Sequence, residues 1–365
     1  MLQKEEYNQL PRPTFRWMKV NHLELATLPS VATTHVEVPE RHTEEVQVDF
    51  YKENRIPSFS DFEGANPRVM ELALHQHNTG CQVTIGAQKK GSVWLHYTVD
   101  DKSPQIHGQL YVKAGAHSEL NVFITFDGDA EDGEVNLFQY IEAAVGAKVK
   151  VSKLQLHGDR VRHIDHRLAK PEQQAYVEFD SVDLGGKEVL VYYKGDLAKD
   201  EGECNIYSTY IGAGKQLFDF SYVVPTAGVK TKTDILNTGA LMETAKKYFR
   251  GTIDFLRGGK KAFGSESDVC LLLSPTVHSI SIPLLLCKED DVVGNHASSA
   301  GQIDKDMLFY LMSRGFDEAG AQLILVESNV RPIIDKLGDA EMEEKALQSV
   351  RDKMQICYKK GELNA

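Results

Sequence analysis

One cysteine and one histidine near the end of a long strand-rich stretch are the residues best suited to bind a transition metal. Cys287 ends the apolar run IPLLLC, and His296 follows among small residues. A thiolate and an imidazole are both good ligands for iron or zinc. Two residues do not complete a metal site, so the pair is a candidate whose ordinary structural roles stay open.

Other histidines form two looser groups. His157, His163 and His166 are the densest, but on a strand His163 and His166 would face opposite sides of the sheet. We therefore expect a polar loop or edge there, and not a shared metal site. His75 and His77 would share a face only in an extended segment, and an ordinary structural role is again favoured.

Three consecutive acids, Glu289, Asp290 and Asp291, lie between Cys287 and His296. They could bind a hard cation or act as acid and base, but a solvated charge run that ends a strand is the favoured interpretation. The sequence contains no GxxxxGK[ST] phosphate loop, no GxSxG and no HExxH. Nucleotide hydrolysis by this chain is therefore not expected.

Composition narrows the class of protein. The chain has 365 residues and a formal charge of −12, which argues against nucleic-acid and anionic-membrane partners. It contains no apolar run of about 18 residues, as a membrane-spanning helix would need, and its beginning lacks the apolar core of a signal peptide. Five widely spaced cysteines without a CxxC predict free thiols in a reducing cytosol, so we expect a cytoplasmic protein.

Short β-branched or aromatic runs recur throughout residues 81–287, which predicts a mostly β domain. A sandwich, a barrel, a propeller or a solenoid would fit. Recurrent Gly-Ala corners, as in 113–117, 144–148 and 210–214, favour a parallel β-helix of residues 81–296, because small residues suit tightly stacked corners. The ends of such a stack leave strand edges that must be capped or paired.

The flanking regions differ from this core. Residues 1–80 look irregular, with edge strands and a short helix that starts at Asn66-Pro67 and stops at Gly80. Residues 297–365 predict a small helical domain. Its first two helices follow the N-caps Asp304 and Asp317. Their apolar residues must pack on the β domain or on another protein: Met307, Leu308, Leu311, Met312, Leu323 and Val326.

Several blocks in a fixed order resemble one known family. They are TDILNTGALM (233–242), FRGTIDF (249–255), GSESD (264–268), IPLLLC (282–287), HAS (296–298), GQID (301–304) and LFYLMSRG (308–315). In these blocks the chain resembles the SufB/SufD family, the scaffold proteins of the SUF iron–sulfur cluster assembly system. The looser Gly-Ala strand pattern extends the resemblance back to about Gly80.

The resemblance implies a right-handed parallel β-helix followed by a small C-terminal α-helical domain. It also implies that two such subunits pair near the end of the β-helix, and that the helical domain docks SufC, an ABC-type ATPase. The interface histidine of SufD-type subunits falls on His296. The cysteine of SufB-type subunits falls on Asn329 in an ungapped count, so the chain is SufD-like.

The expected function is that of a non-enzymatic scaffold subunit that pairs with a SufB-type subunit and docks the ATPase. His296 and Cys287 are the candidate iron or cluster ligands. No tightly bound cofactor is expected, only transient iron or an iron–sulfur cluster in the complex. A homodimer is expected to be possible for the isolated chain. The alternatives are a carbohydrate-active β-helix enzyme and a SufB-like scaffold that builds clusters unaided.

Overall fold

Two nine-stranded sheets form the body of the computed structural model, which describes residues 4–14, 16–27, 35–59 and 61–359. Sheet I runs in the order β20-β18-β16-β14-β12-β10-β8-β6-β3, and sheet II in the order β19-β17-β15-β13-β11-β9-β7-β5-β4. The chain therefore alternates between the sheets, and each strand from β7 onward lies beside the strand two earlier. This arrangement is a parallel β-solenoid, as the sequence predicts.

The strands of the solenoid coils, β5 to β20, are of similar length, from 7 to 11 residues, whereas β1 to β4 are shorter. Their bounds are β1 Lys4–Tyr7, β2 Leu23–Ala26, β3 Glu40–His42, β4 Val46–Tyr51, β5 Thr79–Ile85, β6 Lys90–Val99, β7 Gln105–Ala114, β8 Glu119–Gly128, β9 Glu134–Ala143, β10 Lys148–Gln155, β11 Arg162–Pro171, β12 Tyr176–Asp183, β13 Glu188–Gly195, β14 Glu203–Gly212, β15 Leu217–Thr226, β16 Lys232–Leu241, β17 Lys246–Phe255, β18 Ala262–Leu272, β19 His278–Cys287 and β20 Val292–Gly301.

Alternating residues fill the interior between the sheets. Val149 and Val151 of β10, for example, are fully buried in the same hydrophobic cluster as Val177 and Phe179 of β12, their partners in the ladder. Because successive side chains on a strand point to opposite faces, every second residue of each coil enters this core. Side-chain bonds between coils join residues 29 to 31 apart, which gives the length of one turn.

The corners use the left-handed backbone region. Gln88, His117, Gln174, Glu201 and Lys230 all have φ between 57° and 60°. The amide of each donates to a carbonyl of the following coil, as Gln88 does to Ala116 and His117 to Val145. This stacking explains the small-residue corners. Non-glycine residues at these corners hide the repeat from sequence inspection.

The first coil is closed by antiparallel strands. β3 pairs with β6 and β4 pairs with β5, both antiparallel, so the N-terminal region caps this end. Helix α1 (Pro67–His75) follows with Asn66 as its N-cap, as predicted. Its predicted stop at Gly80 is wrong, because the helix ends at His75 and Gly80 already lies in β5.

Three helices follow the last strand: α2 (Lys305–Ser313), α3 (Glu318–Ile334) and α4 (Ala340–Lys359). Strand β20 continues to Gly301, beyond the boundary placed after His296. Helices α3 and α4 pack on the outer face of sheet I, where Val326, Val330 and Val350 join a cluster with Leu154 and Ile211. None of the helices in the described parts of the chain is long and apolar enough to cross a bilayer.

Candidate functional site

The last coil of the solenoid is open to solvent. β20 pairs with β18 and β19 pairs with β17, and each is the terminal strand of its sheet over the residues that the structure describes. Val293 to Gly301 are all exposed. An unpaired edge of this length presents backbone N–H and C=O groups that can add another strand. This end therefore contrasts with the capped first coil.

His296 faces the interior side of this open coil. It pairs in register with Glu266, and residues in register on parallel strands share a face. Gly294, two residues earlier on β20, approaches the core side chains of Phe255 and Leu285. His296 has the same orientation as Gly294, so its imidazole lies over the coil below while remaining exposed.

Cys287 faces the same interior from the other sheet. It pairs with Phe255, a core residue, and its thiol is free and exposed. Leu285 lies across from Gly294, so Cys287 is displaced from the position opposite His296. Within the described residues, no group of three or more His, Cys, Asp or Glu side chains could hold a metal. The two candidates thus share one end of the solenoid without forming a complete site in one chain.

Glu266, directly below His296 in the ladder, is a site residue that the sequence reasoning did not single out. Its side chain is buried, and neither carboxylate oxygen has a hydrogen-bond partner among the described residues. Burial, with a smaller contribution from the charge of Asp268, raises the pKa of Glu266 to about 8. The alternation in GSESD could have revealed it, because Gly264, Glu266 and Asp268 share one face.

A file of buried polar groups continues from this carboxyl into the solenoid. Asp268 pairs with Lys247 and accepts a bond of 2.8 Å from the Asn237 amide. Ser208 donates to Asn237 (2.7 Å) and receives a bond from the Tyr222 hydroxyl (2.8 Å). Such bonding offsets the cost of burying polar groups. The open coil is therefore connected to a polar interior.

All three histidines of the group at 157–166 are buried. His157 lies in the loop between β10 and β11, whereas the predicted loop or edge is wrong for His163 and His166, which lie in β11. His163 lies inside the solenoid with its ring 4.8 Å from that of Phe126, whereas His166 lies outside and accepts from the Ala65 amide. The two face opposite sides of β11, as expected of a strand. Burial lowers the pKa of His157 and His166 to about 4. These residues do not share a metal site.

The acid run ends β19, as the charge pattern suggested. Asp290 and Asp291 are exposed, and Glu289 accepts a bond of 3.0 Å from the Gly258 amide of the coil below. This backbone bond is the main cause that lowers the pKa of Glu289. Glu289 therefore fastens the corner after β19, and the carboxylates of Asp290 and Asp291 remain exposed at the open end.

Helix α2 is the most exposed apolar element of the helical part. None of its residues is buried; Leu308 and Leu311 are half-buried, while Met307 and Met312 are exposed. The sequence reasoning missed Phe309, which is 73% exposed, because it searched for a single apolar stripe. Exposed Tyr310 and Phe316 extend the surface. An exposed apolar surface on one helix marks a site of contact with another protein.

The remaining predicted residues lie elsewhere. Val326 is fully buried against sheet I, and Leu323 packs at the edge of the same cluster. Neither belongs to the exposed surface of α2. Asn329, the position aligned with the SufB cysteine, donates a bond of 3.0 Å to the Gly239 carbonyl and fastens α3 to β16.

Comparison with known proteins adds an independent finding. Residues 97–329 match the family described as SUF system FeS cluster assembly, SufBD core domain. This range covers most of the solenoid and reaches into α3.

Individual relatives agree with this match. The chain is 31% identical over 272 residues to the iron–sulfur cluster assembly protein SufD of Bacillus subtilis, covering 74% of this chain and 62% of that protein. It is 25% identical over 299 residues to an iron–sulfur cluster assembly SufBD family protein of Mycobacterium leprae, covering 79% and 76%. A similar protein of Mycobacterium tuberculosis is 24% identical over 306 residues, covering 80% and 76%.

Proposed function

Because the chain belongs to the SufBD core family of iron–sulfur cluster assembly proteins, we propose that it is a SufD-type scaffold subunit without catalytic activity of its own. The observation that carries this proposal is the unpaired last coil, which presents His296 over buried Glu266. The proposed setting is the cytoplasm, in keeping with the free thiols.

The first part of the proposal is pairing with a SufB-type subunit. β19 and β20 end their sheets with exposed edges, and an edge strand is satisfied most directly by another strand. The first coil is less suited to pairing, because it ends in the short antiparallel strands β3 and β4, of three and six residues. Pairing would thus bring His296, Cys287 and the partner's last coil together.

The second part is transient handling of iron or of a nascent cluster at this junction. His296 supplies an imidazole, Cys287 a thiol and Glu266 a carboxyl group, all of which are ligand types for iron. The described residues of one chain bring no three such ligands together, and we propose that the partner completes the set. Asn329, at the position aligned with the SufB cysteine, opposes the alternative of a self-sufficient SufB-like scaffold. Membership of the family removes the support for a carbohydrate-active enzyme.

The third part is docking of a SufC-type ABC ATPase on α2. Phe309, Tyr310 and Met307 form an exposed apolar surface at the helix that directly follows β20. Force applied to α2 would therefore act on the last coil. Helix packing of this kind is a common mode of protein recognition.

Replacement of His296 by alanine tests the cluster proposal. Because His296 is exposed, we expect the melting temperature and complex formation to stay unchanged. We expect the iron and acid-labile sulfide recovered with a co-expressed SufB–SufC complex to fall several-fold. His75→Ala, which changes an exposed histidine on α1, is the matched control. An unchanged cluster yield with His296→Ala would refute the ligand role.

A second variant tests the docking surface. Phe309→Asp places a charge on the exposed face of α2, so we expect SufC binding to weaken at least tenfold while SufB pairing is kept. Ile356→Asp, at an exposed apolar position on α4, is the control. Binding is measured by calorimetry with purified subunits. Equal affinity of wild type and Phe309→Asp for SufC would show that the ATPase binds another surface.

A further inference from the structure

An N-terminal hairpin crosses the outer face of sheet II. Its strands β1 and β2 pair antiparallel, and Tyr7 and Leu23 pack in a cluster with Ile164 of β11 and Leu190 of β13. Asn8 then donates bonds to the Val191 carbonyl and to Asp219 of β15. The hairpin thus begins over the middle of the solenoid.

The hairpin advances toward the open end. Leu10 and Val20, one from each arm, pack on Ile280 and Ile282 of the last strand β19. The Arg250 guanidinium of β17 donates to the Val20 carbonyl, and Leu10 N–H donates to the Asn21 carbonyl. The successive contacts of the hairpin with β13, β15, β17 and β19 show that it runs along the solenoid toward the last coil. The tip that joins the arms therefore lies at or past the edge of sheet II.

The tip carries apolar groups that nothing in the described chain covers. Trp17 is 81% exposed and Met18 is 50% exposed, in a short helical turn, Arg16–Met18. An indole on a surface is a characteristic anchor residue of protein interfaces. Arg12 and Lys19, also exposed, make the tip basic.

The outer face of β19 provides a surface of matching chemistry. Ile280, Ile282, Leu284 and Leu286 alternate on this face, and the hairpin covers the first two. Leu284 and Leu286 remain partly exposed, and exposed Asp290 and Asp291 follow them. The second half of β19 is thus an apolar stripe that ends in negative charge.

A two-fold pair would place the tip on this stripe. When identical edge strands meet across a two-fold axis they run antiparallel, so the first half of one β19 faces the second half of the other. The tip, fixed over Ile280 and Ile282, then reaches Leu284 and Leu286 of the second copy. The basic tip also approaches that copy's acidic turn. Pro283, which lacks an N–H, weakens the backbone ladder at this edge and increases the need for side-chain contacts.

We propose that Trp17 and Met18 at the hairpin tip dock on the outer face of β19 in a second copy of this chain, and so clamp an edge-to-edge homodimer. This proposal rests on the proposed pairing through the last coil: in the isolated chain a second copy takes the place of the SufB-type subunit at this edge, and the hairpin tip adds a contact. Each copy gives one tip and receives one, so the interface is self-complementary.

Equilibrium sedimentation of the purified full chain tests the clamp. We expect a homodimer whose dissociation constant rises at least tenfold in Trp17→Ala and again in the double variant Trp17→Ala/Met18→Ala. Raising the salt concentration should weaken the wild-type dimer, because the tip and the turn are oppositely charged. Ile356→Ala, at an exposed apolar site on α4, should leave the constant unchanged. Circular dichroism verifies that each variant is folded.

A photo-crosslinker identifies the contact directly. Benzoylphenylalanine in place of Trp17 should join the second copy within residues 284–291. A wild-type chain that stays monomeric at 100 µM, which is on the order of a weak complex, would overturn the clamp. A homodimer whose dissociation constant does not change in Trp17→Ala would also overturn it. A crosslink outside residues 284–291 would do the same. Pairing with a SufB-type subunit, measured in parallel, stands or falls separately and tests the proposed function.

Discussion

Glu266 is a carboxyl group that the fold buries with no hydrogen-bond partner among the described residues. Its register position below His296 places it at the open coil, where a partner or a cation could supply the missing contact. In the isolated chain, the proton held by Glu266 removes the cost of a buried charge. Glu266 therefore lowers the stability of the isolated subunit and supplies a carboxyl group at the open coil.

The free energy of unfolding should show this cost through its pH dependence. The pKa of Glu266 is about 8 in the fold, whereas an unperturbed glutamate has a pKa of about 4.3. Between these values the folded chain holds a proton that the unfolded chain has lost, so stability falls as pH rises from about 4 to about 8. Glu266→Gln should remove this fall and stabilise the isolated chain at pH 8 by on the order of 2–4 kcal/mol.

Urea denaturation at several pH values measures the effect. Glu344→Gln, at an exposed position on α4, is the control and should follow the wild-type profile. If Glu266→Gln also keeps the wild-type profile, Glu266 is ionised or hydrated in the fold, and the proposed neutral carboxyl is refuted.

The sequence pointed to some residues of the candidate site and not to others, and the difference has a physical reason. The position of His296 could be anticipated because the resemblance fixes it in a motif. Glu266 could not be ranked, since its importance depends on which face of β18 points inward and on the absence of a partner. The buried histidines at 163 and 166 were placed at a surface because their polarity outweighed the strand pattern around them.

At the scale of elements, one lysine fastens the helical part to the solenoid. The Lys353 ammonium on α4 donates bonds of 2.6 Å to the Leu184 and Ile211 carbonyls and to the Gln216 side chain. Burial lowers its pKa to about 8. Leu184 follows β12, Ile211 is near the end of β14 and Gln216 lies in the corner before β15, so α4 is anchored to two successive coils.

Lys353→Met should loosen this anchor. The variant keeps an apolar stem but leaves three acceptors without their donor, which costs about 1–3 kcal/mol. We expect faster hydrogen exchange in α4 and a lower denaturation midpoint. Lys345→Met, which removes an exposed lysine paired with Glu341 four residues earlier on α4, should change neither. Unaltered exchange in α4 would show that apolar packing alone holds the helix.

The elements themselves were predicted well where local chemistry decides them. The Asp304, Asp317 and Asn66 caps mark helix starts because their side chains accept the first free N–H groups. The stop of α1 was missed because Gln76 ends the helix without a glycine. The burial of Val326 and the exposure of Phe309 depend on tertiary packing, which a helical stripe alone does not specify.

At the scale of the whole molecule, the two ends of the rod are unlike. Over the described residues, one end finishes in the short antiparallel strands β3 and β4, whereas the other finishes in the ten-residue parallel strands β19 and β20. In a solenoid each coil is stabilised mainly by its neighbours, so a coil with one neighbour should open more often.

Hydrogen exchange of the chain at low concentration should report this difference. We expect amides of β19 and β20 to exchange at least tenfold faster than those of β11 and β13, and to become protected when a SufB-type subunit is added. Amides of β4 and β5 provide the internal control and should not respond. Protection confined to the helices on addition of the partner would contradict pairing through the last coil.

The capped first coil also sets a limit on growth. A stacked rod with two free ends could polymerise head to tail into a filament, because each end would template the next molecule. Here the first coil ends in the short strands β3 and β4, of three and six residues, which offer much less edge than the ten-residue strands β19 and β20. We therefore expect assembly through the long edges of β19 and β20 to stop at two copies and not to continue into a fibre.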